Sequence, residues 1–161
     1  LLHGKALPPL QWARLPWYAW RRGTAEGHLL GGNLSLLSTL AGTNLDYHHF
    51  DKPALLFGEE VGEYCYRLDR LLWHLRNAGW LRKAQGLIIG ALSDLLDDED
   101  RPFGQSLKEI VETVGADAAG PLVMGLPAGH VLENSPLPMG PRAHLIVEEA
   151  RATLTFEQAG A

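Results

Sequence analysis

One cysteine, Cys65, serves the whole chain, so no internal disulfide can form and a reducing compartment is the expected setting. No apolar run approaches the roughly 18 residues a spanning helix needs, so no membrane partner is expected. Basic residues are few: 14 Lys and Arg face 19 Asp and Glu, for a net charge of −5. The densest basic pairs, Arg21-Arg22 and Arg82-Lys83, make no patch, which argues against a nucleic-acid partner. A basic head followed by an apolar core is missing at the N-terminus, so no signal peptide is expected. Methionine occurs only at Met124 and Met139, and the chain begins at Leu1, so it reads as a piece of something longer.

What is present is the material of one α/β domain. At 161 residues the chain can bury a real core. Residues 1–30 hold Trp12, Trp17 and Trp20, several prolines and no clean period, which suits either an interdomain linker or a packed N-terminal arm. The domain proper is expected over 31–161. Gly31-Gly32 reads as a tight turn, with Asn33 as the N-cap of a short helix ending at Gly42. The apolar run 54–59 predicts a buried strand. Tyr64, Cys65, Leu68, Leu71, Leu72 and Leu75 then form a stripe at helical spacing, predicting a helix over 63–78 with Gly79 at C′. Further strands are expected at 86–90 and 121–125, a helix at 105–114, and a closing hairpin of 143–147 and 153–156. Strands alternating with helices and a terminal hairpin imply a mixed sheet with covering helices.

Two places look suited to chemistry. The 54–59 run ends in Glu59-Glu60, and a carboxylate at the tip of a buried strand can orient a histidine. Adjacent residues on an extended chain point to opposite sides, so only one of the pair can face a given site. Far downstream, Gly129-His130 lies in a run containing Pro127, Pro136 and Pro138, the kind of rigid loop that fixes an imidazole for proton transfer. Solvated acids at a strand end and a surface histidine are the plain alternatives. A third member is missing. The serines are Ser35, Ser38, Ser93, Ser106 and Ser135, and none sits in a Gly-x-Ser-x-Gly elbow, so self-contained serine hydrolysis is not supported. His48-His49 with Asp46 and Asp51 lack metal-ligand spacing, the acidic stretch 94–100 lacks a calcium-loop pattern, and Cys65 reads as a small core residue.

Together, Leu30-Gly31-Gly32-Asn33-Leu34-Ser35-Leu36-Leu37, Phe57-Gly58-Glu59-Glu60-Val61-Gly62-Glu63, Tyr66-Arg67-Leu68-Asp69-Arg70, Gly86-Leu87-Ile88-Ile89-Gly90, Gly125-Leu126-Pro127-Ala128-Gly129-His130 and Leu137-Pro138-Met139-Gly140 resemble the C-terminal domain of the LD-carboxypeptidases. That serine peptidase family includes the microcin-immunity peptidases, and the resemblance covers residues 30 to 157. His3-Gly4 looks like a step that follows the family's nucleophile region. The resemblance implies a swivelling β/β/α-like domain and hydrolysis of an L,D-amide that releases D-alanine from murein tetrapeptide during cytoplasmic cell-wall recycling. It implies a Ser-Glu-His triad in which Glu59 is the acid and His130 the general base, with no metal or cofactor. The serine would come from an N-terminal domain of the same protein, and a homodimer is expected. Two departures stand out: Gly58 replaces a larger apolar residue, and Glu60 replaces Asp. Without its nucleophile domain the chain alone is expected to be inactive. Other readings are a binding or dimerisation module that kept the fold, or a peptidase for an antibiotic-like peptide conjugate.

Overall fold

Ala54–Val61 is buried along seven of its eight residues, the mark of a strand covered on both faces. In the computed structural model, which describes residues 8–12 and 18–157, this strand (β4) is at the centre of one eight-stranded sheet. The other strands are β1 (Leu10–Trp12), β2 (Tyr18–Arg21), β3 (Gly23–Asn33), β5 (Gly86–Ser93), β6 (Leu122–Met124), β7 (Arg142–Val147) and β8 (Ala152–Phe156). Their order is β1-β8-β7-β3-β4-β5-β6-β2. The contiguous run β3-β4-β5-β6 is parallel and the remaining pairs antiparallel, so the sheet is mixed, as expected.

Each parallel step is bridged by helix. α1 (Leu34–Leu40) joins β3 to β4, α2 (Cys65–Asn77) and the short α3 (Trp80–Lys83) join β4 to β5, and α4 (Leu107–Gly115) joins β5 to β6. Leu68, Leu72 and Leu75 of α2 meet Ile110, Val111 and Val114 of α4 over Leu56, Leu87, Ile89, Leu122 and Met124 of the sheet. The opposite face buries Leu29, Leu55, Phe57, Ile88 and Val123 beneath Trp12, Leu126, Ala128, Leu145 and Leu154. Cutting into either layer, such as Leu68→Ala, would cost on the order of 2–5 kcal/mol.

Local chemistry explains the helix ends. Asn33 caps α1, its side chain accepting from Leu36 N–H. Ser106 and Glu109 close a capping box on α4. Gly79, at φ +80°, turns the chain after α2. Arg21 of β2 donates to the carbonyls of Ala116, Ala118 and Gly120 beyond α4, tying an edge strand to a helix terminus.

Several expectations need correction. Gly31-Gly32 is not a turn but the end of β3. A β-carbon at Gly31 would stand 1.9 Å from the Phe57 carbonyl oxygen, so glycine lets β3 and β4 approach. α2 begins at Cys65, leaving Glu63 before the helix and Tyr64 37% exposed at its cap instead of within the buried stripe. His48-His49, set aside as metal ligands, lie on a 3-10 turn; the buried Asp46 carboxylate caps it, accepting from His48 N–H and from Trp80 Nε1. The described parts of 1–30 form β1, β2 and most of β3, so the boundary drawn at residue 30 falls inside a strand. His3-Gly4 and Trp17 lie outside the described residues. Among the described residues no helix is long and apolar enough to cross a membrane.

Candidate active site

The carboxyl ends of the parallel strands collect at one rim of the sheet, the usual ligand side of such folds. Glu59 and Glu60 lie just before the end of β4 there, 5% and 3% exposed, and they diverge as alternation requires. Glu60 turns toward α1. Its Oε1 accepts from Asn33 Nδ2 at 2.7 Å and its Oε2 from the Ser35 backbone N–H at 2.8 Å. Burial pushes this carboxyl up, but the donors from Asn33 and Ser35 prevail and hold it below the usual carboxylate range. Glu60 thereby anchors the start of α1, where the helix dipole favours a negative charge. Beside it, a β-carbon at Gly58 would meet Leu34 Cδ2 at 2.5 Å, so the first residue of α1 fills the space a larger residue would occupy.

Glu59 turns the other way, and β5 makes room. Gly58 pairs with Ile89 and Glu60 with Leu92, so Gly90 and Ala91 together oppose the single residue Glu59. This bulge redirects the β5 backbone to the loop after β6. Gly125 N–H donates to the Ile89 carbonyl at 3.0 Å and Ala91 N–H to the Ala128 carbonyl at 2.8 Å. Gly90 has to be glycine, because a β-carbon would stand 2.5 Å from the Ala128 carbonyl oxygen. The loop is then fastened at its own turns. Gly129 N–H donates to Asn134 Oδ1, Val131 N–H to the Gly129 carbonyl and Ser135 N–H to the Pro127 carbonyl.

His130 is delivered by this loop to Glu59: Nδ1 and Oε2 are 2.8 Å apart. With the carboxylate buried and acceptor-only, Nδ1 carries the proton and donates. The imidazole itself is 58% exposed, and Nε2 makes no hydrogen bond among the described residues. The Glu59 hydrogen bond and charge raise the His130 pKa above the ordinary imidazole value, with a smaller push from Glu60. A ring oriented at Nδ1 and open at Nε2 can accept a proton from a donor that approaches from solvent or from another domain.

None of the remaining candidates hydrogen-bonds the Glu59 carboxylate or the His130 ring among the described residues. Ser93 Oγ donates to the His130 carbonyl at 3.0 Å, which steadies the loop. Ser106 is taken up by its capping box, and Ser38 donates to the Ser35 carbonyl. Cys65 is partly buried and its thiol is pushed up, first by burial and then by Asp97. Asp97 and Asp98 accept from backbone N–H groups of their own loop. Among the described residues no group of three His, Cys, Asp or Glu side chains is placed to hold a metal. Gly90, Ala91 and Asn134 build the geometry without standing out in the sequence; their one signal is a glycine just past a short buried strand and an Asn in the loop that carries the histidine.

Residues 26–145 match the LD-carboxypeptidase C-terminal domain, a span that holds both Glu59 and His130. The chain belongs to that family. Among relatives, the murein tetrapeptide carboxypeptidase of Pseudomonas aeruginosa is 37% identical over 120 residues, covering 74% of this chain and 38% of the relative. The crystal structure of muramoyltetrapeptide carboxypeptidase from Oxalobacter formigenes is 28% identical, with a TM-score of 0.81, covering 96% of this chain and 51% of that one. The microcin C7 self-immunity protein MccF, solved with glutamyl sulfamoyl guanosine, shares the fold at a TM-score of 0.71 and 19% identity, covering 89% of this chain and 42% of its own. As an LD-carboxypeptidase C-terminal domain, the chain thus spans about half the length of these relatives or less.

Proposed function

We propose that the chain supplies the acid and the base of a Ser-Glu-His triad, as the C-terminal domain of a peptidase that releases terminal D-alanine from murein tetrapeptide. The observation that carries this reading is the bond between Glu59 Oε2 and His130 Nδ1, formed by a buried acid and a ring whose other nitrogen is uncommitted among the described residues. Relatives named as murein tetrapeptide and muramoyltetrapeptide carboxypeptidases support the substrate class.

In this reading the serine belongs to an N-terminal domain of the same protein that packs on the rim. His130 Nε2 takes the serine proton as the hydroxyl attacks the L,D-amide carbonyl, then returns it to the departing amine. Glu59 keeps the ring in the Nδ1–H tautomer and stabilises the imidazolium that forms. Water then attacks the acyl-enzyme by the same route. The chain alone lacks the nucleophile and is inactive. The full-length protein acts as a homodimer in the cytoplasm, in cell-wall recycling.

The test is release of D-alanine from a murein tetrapeptide by the full-length protein carrying this domain, measured beside the 161-residue chain alone. Activity in the first and none in the second is expected. Turnover by the isolated chain, or unchanged turnover by the full-length His130→Ala variant, would overturn the assignment.

A further inference from the structure

Leu132 is the most exposed large apolar side chain among the described residues, and it follows His130 by two positions. The loop is pinned on both sides of it, Val131 N–H donating to the Gly129 carbonyl and Ser135 N–H to the Pro127 carbonyl. Val131 is exposed as well. Two more exposed aliphatic side chains stand around the same pair. Leu36 is three residues past Asn33, the register partner of Glu59. Leu96 is three residues past Ser93, whose hydroxyl donates to the His130 carbonyl. Three residues span at most about 11 Å, so the four gather around the pair on the scale of one interface, about 800 Å² per partner.

Single apolar side chains on a surface are ordinary, but a group of them around an incomplete site marks a contact. Leu45 makes the contrast. It is as open as Leu36, yet it lies in the loop from α1 back to the start of β4, at the other end of the parallel strands.

We propose that Leu36, Leu96, Val131 and Leu132 are the seat on which the nucleophile-bearing N-terminal domain of the same protein docks, with Leu132 as its anchor; the inference rests on the two-domain reading above. Three observations select that occupant. The pair beneath lacks a proton donor at His130 Nε2 among the described residues, so what covers the rim has to bring one. In the relatives about half of the chain or more lies outside the matched span, enough for a domain. The seat is aliphatic, which suits a permanent interface better than a substrate that must leave. The loop that docks is also the loop that carries the base, so seating Leu132 presents Nε2 to the serine.

The experiment uses the full-length protein with photoreactive p-benzoylphenylalanine in place of Leu132, irradiated and mapped by mass spectrometry. The expected product is a cross-link to a residue preceding Leu1, in a chain that keeps its single-chain mass on a denaturing gel. A product of doubled mass would give the surface to a second copy, and no cross-link would leave the side chain uncovered; either overturns the seat. In the same protein Leu132→Asn should lower kcat/KM for D-alanine release about tenfold, with Leu132→Met restoring it and Leu45→Asn within twofold of the parent. Equal values for the two Asn variants would overturn the anchor. If the unaltered protein releases no D-alanine, the peptidase reading fails. The cross-link, which needs no turnover, then decides the seat alone: its presence upholds the docking surface and its absence sinks it.

Discussion

Gly129 presses its α-carbon against the Glu59 carboxylate: a β-carbon there would stand 2.8 Å from Oε2 and 3.1 Å from the Glu59 β-carbon. Its φ of +130° is also one that side-chain-bearing residues rarely adopt. Gly129→Ala must therefore move either the acid or the loop, and both belong to the candidate pair. In the full-length protein kcat should fall at least tenfold with KM nearly constant, since the sheet beneath is untouched. The His130 ring resonances would shift in the NMR spectrum. Unchanged kcat would mean that the contact is not part of the working site.

In the proposed mechanism the acid limb of activity follows from His130. A general base must be neutral, and the Glu59 bond favours the protonated ring, so the limb should lie above the ordinary imidazole value. Glu59→Gln removes that preference, and both the limb of kcat/KM and the NMR titration of His130 should move down in pH. For stability the sign is the same. A raised folded pKa means that the pair's contribution is complete below the unfolded value and fades as pH rises through the folded one.

Glu60 gives the opposite window. Its folded pKa is depressed, so its contribution is present above the ordinary carboxylate range and is lost as pH falls through the lower folded value. Glu60→Gln weakens two charge-assisted bonds to Asn33 and Ser35. Thermal or urea unfolding of the chain should show a loss of about 1–2 kcal/mol at neutral pH. The gap between variant and parent should close in acid. An equal gap at every pH would mean that the ionised form is not what holds α1.

Much of this architecture was legible, and the reasons are local. β4, β5 and α2 announce themselves because burial on both faces, or on one helical stripe, leaves an apolar pattern. β3 does not. Its eleven residues include Glu26, His28 and four glycines, and the Gly31-Gly32 pair resembles a turn until Phe57 is seen beside it. β1 and β2, at three and four residues, are too short for any period to show. At the site, alternation dictates that Glu59 and Glu60 diverge but not which faces the histidine. That is settled by the two-for-one bulge in β5, a register property of the paired strands.

Ser93 provides the sharpest check on the missing nucleophile, because it is the serine whose hydroxyl meets the His130 backbone. A nucleophile would have its Oγ at the ring nitrogen Nε2; this one donates instead to the His130 carbonyl, on the backbone side of the residue. Ser93→Ala should therefore loosen the loop without removing the chemistry. In the full-length protein kcat/KM for D-alanine release should drop less than tenfold. Loss of a true nucleophile costs on the order of a millionfold in kcat in a well-studied serine peptidase. The loop's amide exchange, read by hydrogen–deuterium labelling over 126–135, should quicken in the variant. A fall of several orders of magnitude, with the loop's exchange unchanged, would place the reacting hydroxyl inside this chain and overturn the two-domain division of the triad.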